Sequence, residues 1–220
     1  MITPDKIIRS NRKTLSVGID CFGTVTVRAP LRCDSERIFA FLRDKESWIL
    51  RQKSKMKGAG MQLPPENLDG YSFLLLGKTC VLHLTGERNI RFAAETNELF
   101  LPSKNSEKRL VAWLKENALR IFTAVTKQRA EEMGVSYASV AITHARGKWG
   151  SCSADNRLRY AYRLLYAPKE VIDYVIVHEL AHVKHKNHSR LFWAEVEKFV
   201  PDYKQKRKWL KEHGVLMRIF

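Results

Sequence analysis

The sequence predicts an α+β protein with a strand-rich first half and a helix-rich second half, and three observations carry that prediction. Residues 24–101 hold short β-branched and aromatic runs separated by Gly, Pro and Asn, as strands joined by turns do. Residues 107–212 place apolar side chains at three- and four-residue intervals behind capping residues, as amphipathic helices do. Between them, Pro102-Ser103-Lys104-Asn105-Ser106 has linker composition, so the expected division is a strand-rich subdomain with one helix over 1–105 and a helical domain with a short-stranded sheet over 106–220.

Each element follows from local chemistry. Thr24 to Pro30 is β-branched and ends at proline, which reads as a strand. Ser35 is placed to cap one helix from Glu36 to about Lys57, with Ile38, Phe39, Leu42, Trp48 and Ile49 on its apolar side and Gly58 and Gly60 at its end. After the Pro64-Pro65 loop, runs at 71–76, 79–85, 89–93 and 99–101 read as a small antiparallel meander. Ser106 can cap a long helix from Glu107 to Met133, stopped by Gly134. Short strands are expected at 139–144 and 158–162, flanking Trp149-Gly150-Ser151-Cys152-Ser153. Pro168 suits a first helical position, with Glu170 in the first turn; Ser189 starts a further helix through Phe199, and Pro201 another that Gly214 ends.

Length and composition set bounds. With 220 residues and 45% hydrophobic content the chain can bury a sizeable core. It has no 18-residue apolar run and no apolar leader, so a cytoplasmic protein off the membrane is expected. Cys21, Cys33, Cys80 and Cys152 form no C-x-x-C pair, which fits reduced thiols and argues against a thiolate-built structural zinc site. The net charge of +16 makes a polyanion or an acidic substrate a reasonable partner, and Lys204, Lys206, Arg207 and Lys208 are the densest basic cluster. Nothing matches a zinc finger or an RNA-recognition sheet, and the oligomeric state is not legible.

The most informative run is His178-Glu179-Leu180-Ala181-His182, followed by His188. On a helix, His178 and His182 lie one turn apart on one face and can grip a single cation. Glu179 points to a neighbouring face, poorly placed to ligate but well placed to take a proton from a metal-activated water. Val171, Ile172, Val175, Ile176, Leu180 and Val183 give this helix one apolar stripe. A catalytic zinc needs a third protein ligand, and His188 is the leading candidate because Asn187 can turn the chain back toward the metal; His185, Glu195 and Glu197 are the alternatives. Zinc is expected, although three imidazoles and a water also suit nickel, cobalt or manganese. The pattern is that of a zinc hydrolase.

The chain resembles the YgjP-like metallopeptidases and, more distantly, SprT-like zinc proteases. The residues that carry the resemblance are Lys148-Trp149-Gly150-Ser151-Cys152-Ser153, Arg163-Leu164 with Ala167-Pro168, Glu170 to Tyr174, the His178 to His182 run, Asn187-His188-Ser189, Phe192-Trp193, Pro201-Asp202-Tyr203 and Trp209-Leu210. Weaker similarity continues through Ser10 to Thr14 and Val27 to Pro30. The resemblance implies a zincin-like fold, a protein or peptide substrate, His178, His182 and His188 as ligands, Glu179 as base, and a strand along the substrate groove, placed at Leu158 to Tyr162. It departs from the family at Ala161-Tyr162, where Asn-Trp is common, and at His185, where an acidic residue is common. Tyr160, Tyr162 and Arg163 are candidates for stabilising the oxyanion, with His144 and Arg146 behind them. The rival reading is a basic nucleic-acid-associated module whose metal site is structural or vestigial; a protease recruited to protein on nucleic acid would combine the two.

Overall fold

The computed structural model describes residues 2–19, 24–58, 64–65 and 67–220, with only the backbone for 55–58 and 218. Its contacts form two compact units, Met1–Leu63 and Pro64–Phe220. The chain therefore parts about forty residues before the linker-like 102–106 segment, where the sequence places the division. Cys33, Cys80 and Cys152 are free thiols; Cys21 and Gly60, also named from the sequence, lie outside the described residues.

In the first unit, β1 (Lys6–Ser10) runs parallel to β3 (Val25–Pro30), and β2 (Ser16–Ile19) pairs antiparallel on the other side of β3. The alternating buried residues Val25, Val27 and Ala29 supply one face of the core. Against it pack Ile38 and Leu42 of α1 (Ser35–Asp44) and Ile49 of α2 (Glu46–Gly58). The sequence predicts one helix here, capped by Ser35. Instead Asp34 is the cap, its carboxylate accepting from the Arg37 N–H at 2.7 Å, and the helix breaks at Lys45, whose N–H reaches both Phe41 and Leu42 carbonyls at 3.2 Å. β1 escapes a sequence reading because four of its five residues are exposed, which leaves no inside–outside alternation to detect.

The second unit holds two sheets. β4 (Ser72–Leu75), β5 (Lys78–Thr85), β6 (Arg91–Ala93) and β7 (Glu98–Pro102) form a four-stranded sheet in the order β4-β5-β7-β6. The expected antiparallel meander is corrected here, because β7 inserts between β5 and β6 and runs parallel to β5. The β4–β5 turn explains why this sheet belongs to the second unit. The Leu76 N–H bonds the Leu165 carbonyl at 2.7 Å, and Gly77, at φ +79°, lies so close to Pro168 that a Cβ would stand 2.8 Å from its Cα.

α3 (Ser106–Met133) buries Leu110, Leu114, Ala118, Phe122, Thr126, Ala130 and Met133 along one stripe and stops at Gly134, whose φ of +61° lets its N–H close back onto the last turn. Ser106 is its first residue and not its cap; Asn105 holds that place in a left-handed conformation without a capping side-chain bond. The second sheet contains β8 (Ser139–Thr143), β9 (Gly150–Cys152) and β10 (Arg157–Ala161), in the order β8-β10-β9, with β8 parallel and β9 antiparallel to β10. A buried 3-10 turn, Tyr162–Tyr166, leads to α4 (Lys169–Lys184), followed by α5 (Arg190–Phe199) and α6 (Tyr203–Glu212). α4 packs against α3, β9, α5 and α6, so it is buried well beyond the single predicted stripe: Tyr174, Val177 and Ala181 are covered too. A forked pair from Arg129 to Asp173, with bonds of 2.7 and 2.6 Å, pins α3 to α4. Among the described residues no helix is long and apolar enough to cross a membrane.

Candidate metal centre

α4 carries the centre. Pro168 occupies the capping position, so the helix begins at Lys169, one residue later than its predicted start. His178 and His182 leave the same side of the final turns, and His185 ends the helix in an extended conformation. The chain then doubles back through Asn187 and His188. The Asn187 side-chain oxygen accepts from the Ser189 N–H at 3.2 Å, and the Ser189 hydroxyl accepts from the Phe192 N–H at 3.4 Å to open α5.

That reversal brings one nitrogen of each of His178, His182 and His188 within 4.8 Å of the others. Nε2 of His178 and Nε2 of His188 are 3.1 Å apart. Two nitrogens bound to one tetrahedral zinc stand about 3.3 Å apart, so this donor set fits such an ion. His182 is oriented by its other nitrogen: Nδ1 lies 2.9 Å from the His185 carbonyl oxygen, to which it can donate, leaving Nε2 bare for a ligand. Burial, together with the neighbouring imidazoles of His182 and His188, pushes His178 down to about 3, which keeps it in the neutral form that binds metals. Burial lowers His182 as well, against the opposing effect of its bond to the His185 carbonyl.

The alternative ligands lie outside the cluster. His185 contributes its carbonyl to His182, and Glu195 is paired with Lys184 at 2.7 Å; neither they nor Glu197 belong to a ligand group among the described residues. Phe192 backs all three imidazoles, with ring centroids 4.9, 4.5 and 4.7 Å from His178, His182 and His188, and Trp193 stacks on His188 at 5.6 Å. These two aromatics carry part of the resemblance, yet sequence alone does not assign them this supporting contact.

Glu179 is 6% exposed and faces β9. Burial raises its carboxyl to about 7, while nearby Lys148 and a backbone bond from Cys152 favour the ionised form. Gly150 makes room for it, since a Cβ there would lie 2.6 Å from Glu179 Oε1. The expected groove strand is corrected by this sheet. β10 is hydrogen-bonded on both sides, so Leu158 to Ala161 offer no free edge, and Tyr162 lies in the 3-10 turn; the strand beside Glu179 is β9, at the sheet's edge.

The three oxyanion candidates are committed elsewhere. The Tyr160 hydroxyl is buried and bonded to Thr126 at 3.3 Å, and the Tyr162 hydroxyl donates to the Phe220 carbonyl at 3.0 Å. Arg163 is 1% exposed and donates from Nε to the Ile219 carbonyl at 2.7 Å and from Nη1 to that of His144 at 3.4 Å. His144 itself packs edge-on against Tyr162, and Arg146 is exposed. The basic cluster on α6 is partly neutralised within the helix: Lys206 pairs with Asp202 at 2.5 Å and Lys208 with Glu212 at 3.9 Å, while Lys204 and Arg207 lie beside Tyr203 and Trp193.

A family model for a YgjP-like metallopeptidase domain matches residues 13–213. Among solved structures, the chain is similar to the metallopeptidase zymogen abylysin of Pyrococcus abyssi, at 23% identity over 41% of this chain and 93% of that one, with a TM-score of 0.38. It is also similar to the metallopeptidase zymogen jannalysin of Methanocaldococcus jannaschii, at 20% identity over 40% of this chain and 94% of that one, with a TM-score of 0.36. The search of curated proteins gives no match. A match spanning residues 13–213, nearly the whole chain and including every residue of the histidine cluster, places the protein in the YgjP-like metallopeptidase family.

Proposed function

We propose that this protein is a zinc-dependent peptidase in which His178, His182 and His188 hold the metal and Glu179 is the general base. The observation that carries this reading is the convergence of three imidazole nitrogens within 4.8 Å beside a carboxyl that burial holds at about 7. When bound, a zinc ion supplies Lewis acidity that brings water ionisation near neutrality and polarises a carbonyl.

The chain's own groups supply the rest. Glu179, walled in by Gly150 and the Cys152 N–H, accepts a proton from the attacking water and returns it to the departing amine. The His185 carbonyl fixes the tautomer of His182, and Phe192 holds the three rings in place. β9, the half-buried edge strand of its sheet, packs against the helix of Glu179 and suits an extended peptide added as a further strand.

The test uses protein purified without a histidine tag. Wild type should carry about one zinc per chain and cleave an unfolded protein; His182→Ala should lose the metal, and Glu179→Gln should keep it and lose cleavage. Equal cleavage by wild type and Glu179→Gln would sink the assignment. Reconstitution with nickel, cobalt or manganese ranks the other metals by turnover.

A further inference from the structure

The surroundings of the histidine cluster carry three cations, Arg207, Lys186 and Lys148, that form no salt bridge among the described residues. Arg207, on α6, holds its guanidinium carbon 5.2 Å from the centre of the Trp193 ring, and Trp193 stands 5.8 Å from His178 and 5.6 Å from His188. Lys186 lies in the loop between the second and third histidines and donates from Nζ to the Ser153 carbonyl and the Asn156 side-chain oxygen, both neutral. Lys148 is exposed two residues before Gly150, whose backbone touches Glu179. Among the described residues neither Arg207 nor Lys148 forms an ion pair.

The nearby acids are already engaged. Glu195 is paired with Lys184 at 2.7 Å and Asp155 with Arg157 at 2.8 Å, while Glu179 is buried. The three cations come from different parts of the chain: Arg207 reaches the cluster through the Trp193 ring, Lys186 sits between His182 and His188, and Lys148 precedes the strand of Gly150. Positive charge gathered beside half-buried imidazoles favours an anionic ligand there. Arg207 is the best prepared of the three, because its contact with Trp193 limits its freedom and its planar fork suits a carboxylate.

We propose that Arg207, supported by Lys148 and Lys186, forms a carboxylate-selecting rim that directs the enzyme to peptides carrying a carboxylate beside the scissile bond. This specificity rests on the peptidase reading above. The carboxylate can come from an Asp or Glu side chain or from a free chain end, and the two sources separate experimentally.

Peptides of one length, carrying Glu, Gln or Lys next to the cleaved bond and each with a free or amidated C-terminus, are given to zinc-loaded wild type, Arg207→Gln and Lys127→Gln. The last removes one charge from an exposed position on α3 and controls for net charge. The Glu peptides should exceed the Gln peptides about two- to fivefold in kcat/KM at low salt, Lys peptides should fall below both, and the spread should shrink in high salt. Arg207→Gln should bring the Glu-to-Gln ratio close to one while Lys127→Gln keeps it. A preference that tracks the free terminus keeps the rim and assigns its ligand to the chain end. Wild-type ratios near one both for Glu over Gln and for free over amidated C-termini, or a wild-type preference of either kind that is unchanged in Arg207→Gln, overturn the proposal.

Titration of zinc-loaded Glu179→Gln with the same peptides reads binding apart from turnover. Tighter binding of carboxylate peptides without cleavage by wild type would leave the rim standing and sink the peptidase reading. Cleavage with no preference in either assay would do the reverse.

Discussion

Glu179 occupies the space that Gly150 leaves vacant: a Cβ at position 150 would stand 2.6 Å from Glu179 Oε1 and 2.8 Å from its Cγ. The glycine on the edge strand and the carboxyl on the helix are thus one packing unit, although 29 positions separate them. Gly150→Ala should push the carboxyl from its seat and lower peptide turnover roughly 100-fold, since a displacement of about 1 Å is enough for such a loss. Zinc stoichiometry should be unchanged. Full activity in Gly150→Ala would show that Glu179 does not need that position.

Phe192 touches all three imidazoles, so it supports the proposed metal centre without ligating. Phe192→Ala should weaken zinc binding about 10- to 100-fold, as loss of outer supports does elsewhere, and the affinity can be read by competition with a chelator. An unchanged affinity would mean that the helix backbone alone aims the rings.

Arg163 is a structural cation. Its side chain is fully buried, donates to two carbonyls and lies 4.3 Å over the Tyr162 ring. Arg163→Met would leave those carbonyls without their donor and should cost roughly 2–4 kcal/mol, seen as a lower urea midpoint. If the variant instead kept wild-type stability and lost only turnover, the residue would belong to the catalytic machinery.

Glu98 gives a pH signature. Its carboxyl is held below the usual glutamate range by hydrogen bonds from Thr96 and His83. A depressed folded-state value means that the group contributes stability above an unfolded value near 4.5 and loses it as pH falls through the folded value. Glu98→Gln should therefore flatten the acid side of the stability profile while hardly altering its slope above pH 6. An identical acid limb in both proteins would count against the contribution.

Several helices were legible where a periodicity and an end signal coincided, although over 35–58 the same signals hid the break at Lys45 and the cap at Asp34. α3 and α5 follow from their apolar spacing and from Gly134 and Ser189, and the histidine helix from its spacing behind Pro168. β1 was not legible because its residues are mostly exposed, nor β9, whose Gly-Ser-Cys triplet has no strand propensity and is a strand only because β10 pairs with it. The parallel pairing of β5 with β7 was hidden for a related reason: strand order is set by which neighbours bury each face, and local patterns do not encode it.

By itself the sequence determined the helix that carries His178, Glu179 and His182, because residues four apart on a helix share a face whatever surrounds them. It also favoured His188 over His185, Glu195 and Glu197, because Asn187 can turn the chain back; the turn that forms uses the Asn187 side-chain oxygen on the Ser189 N–H. Only the tertiary structure decided that Gly150 and Cys152 wall in Glu179, that Phe192 backs the imidazoles, that Arg163 and Tyr162 are spent on the chain's last residues, and that Arg207 comes to lie beside Trp193. Those contacts join residues far apart in the chain, and they exist because burying α4 against β9, α5 and α6 removes apolar surface from water on several sides at once.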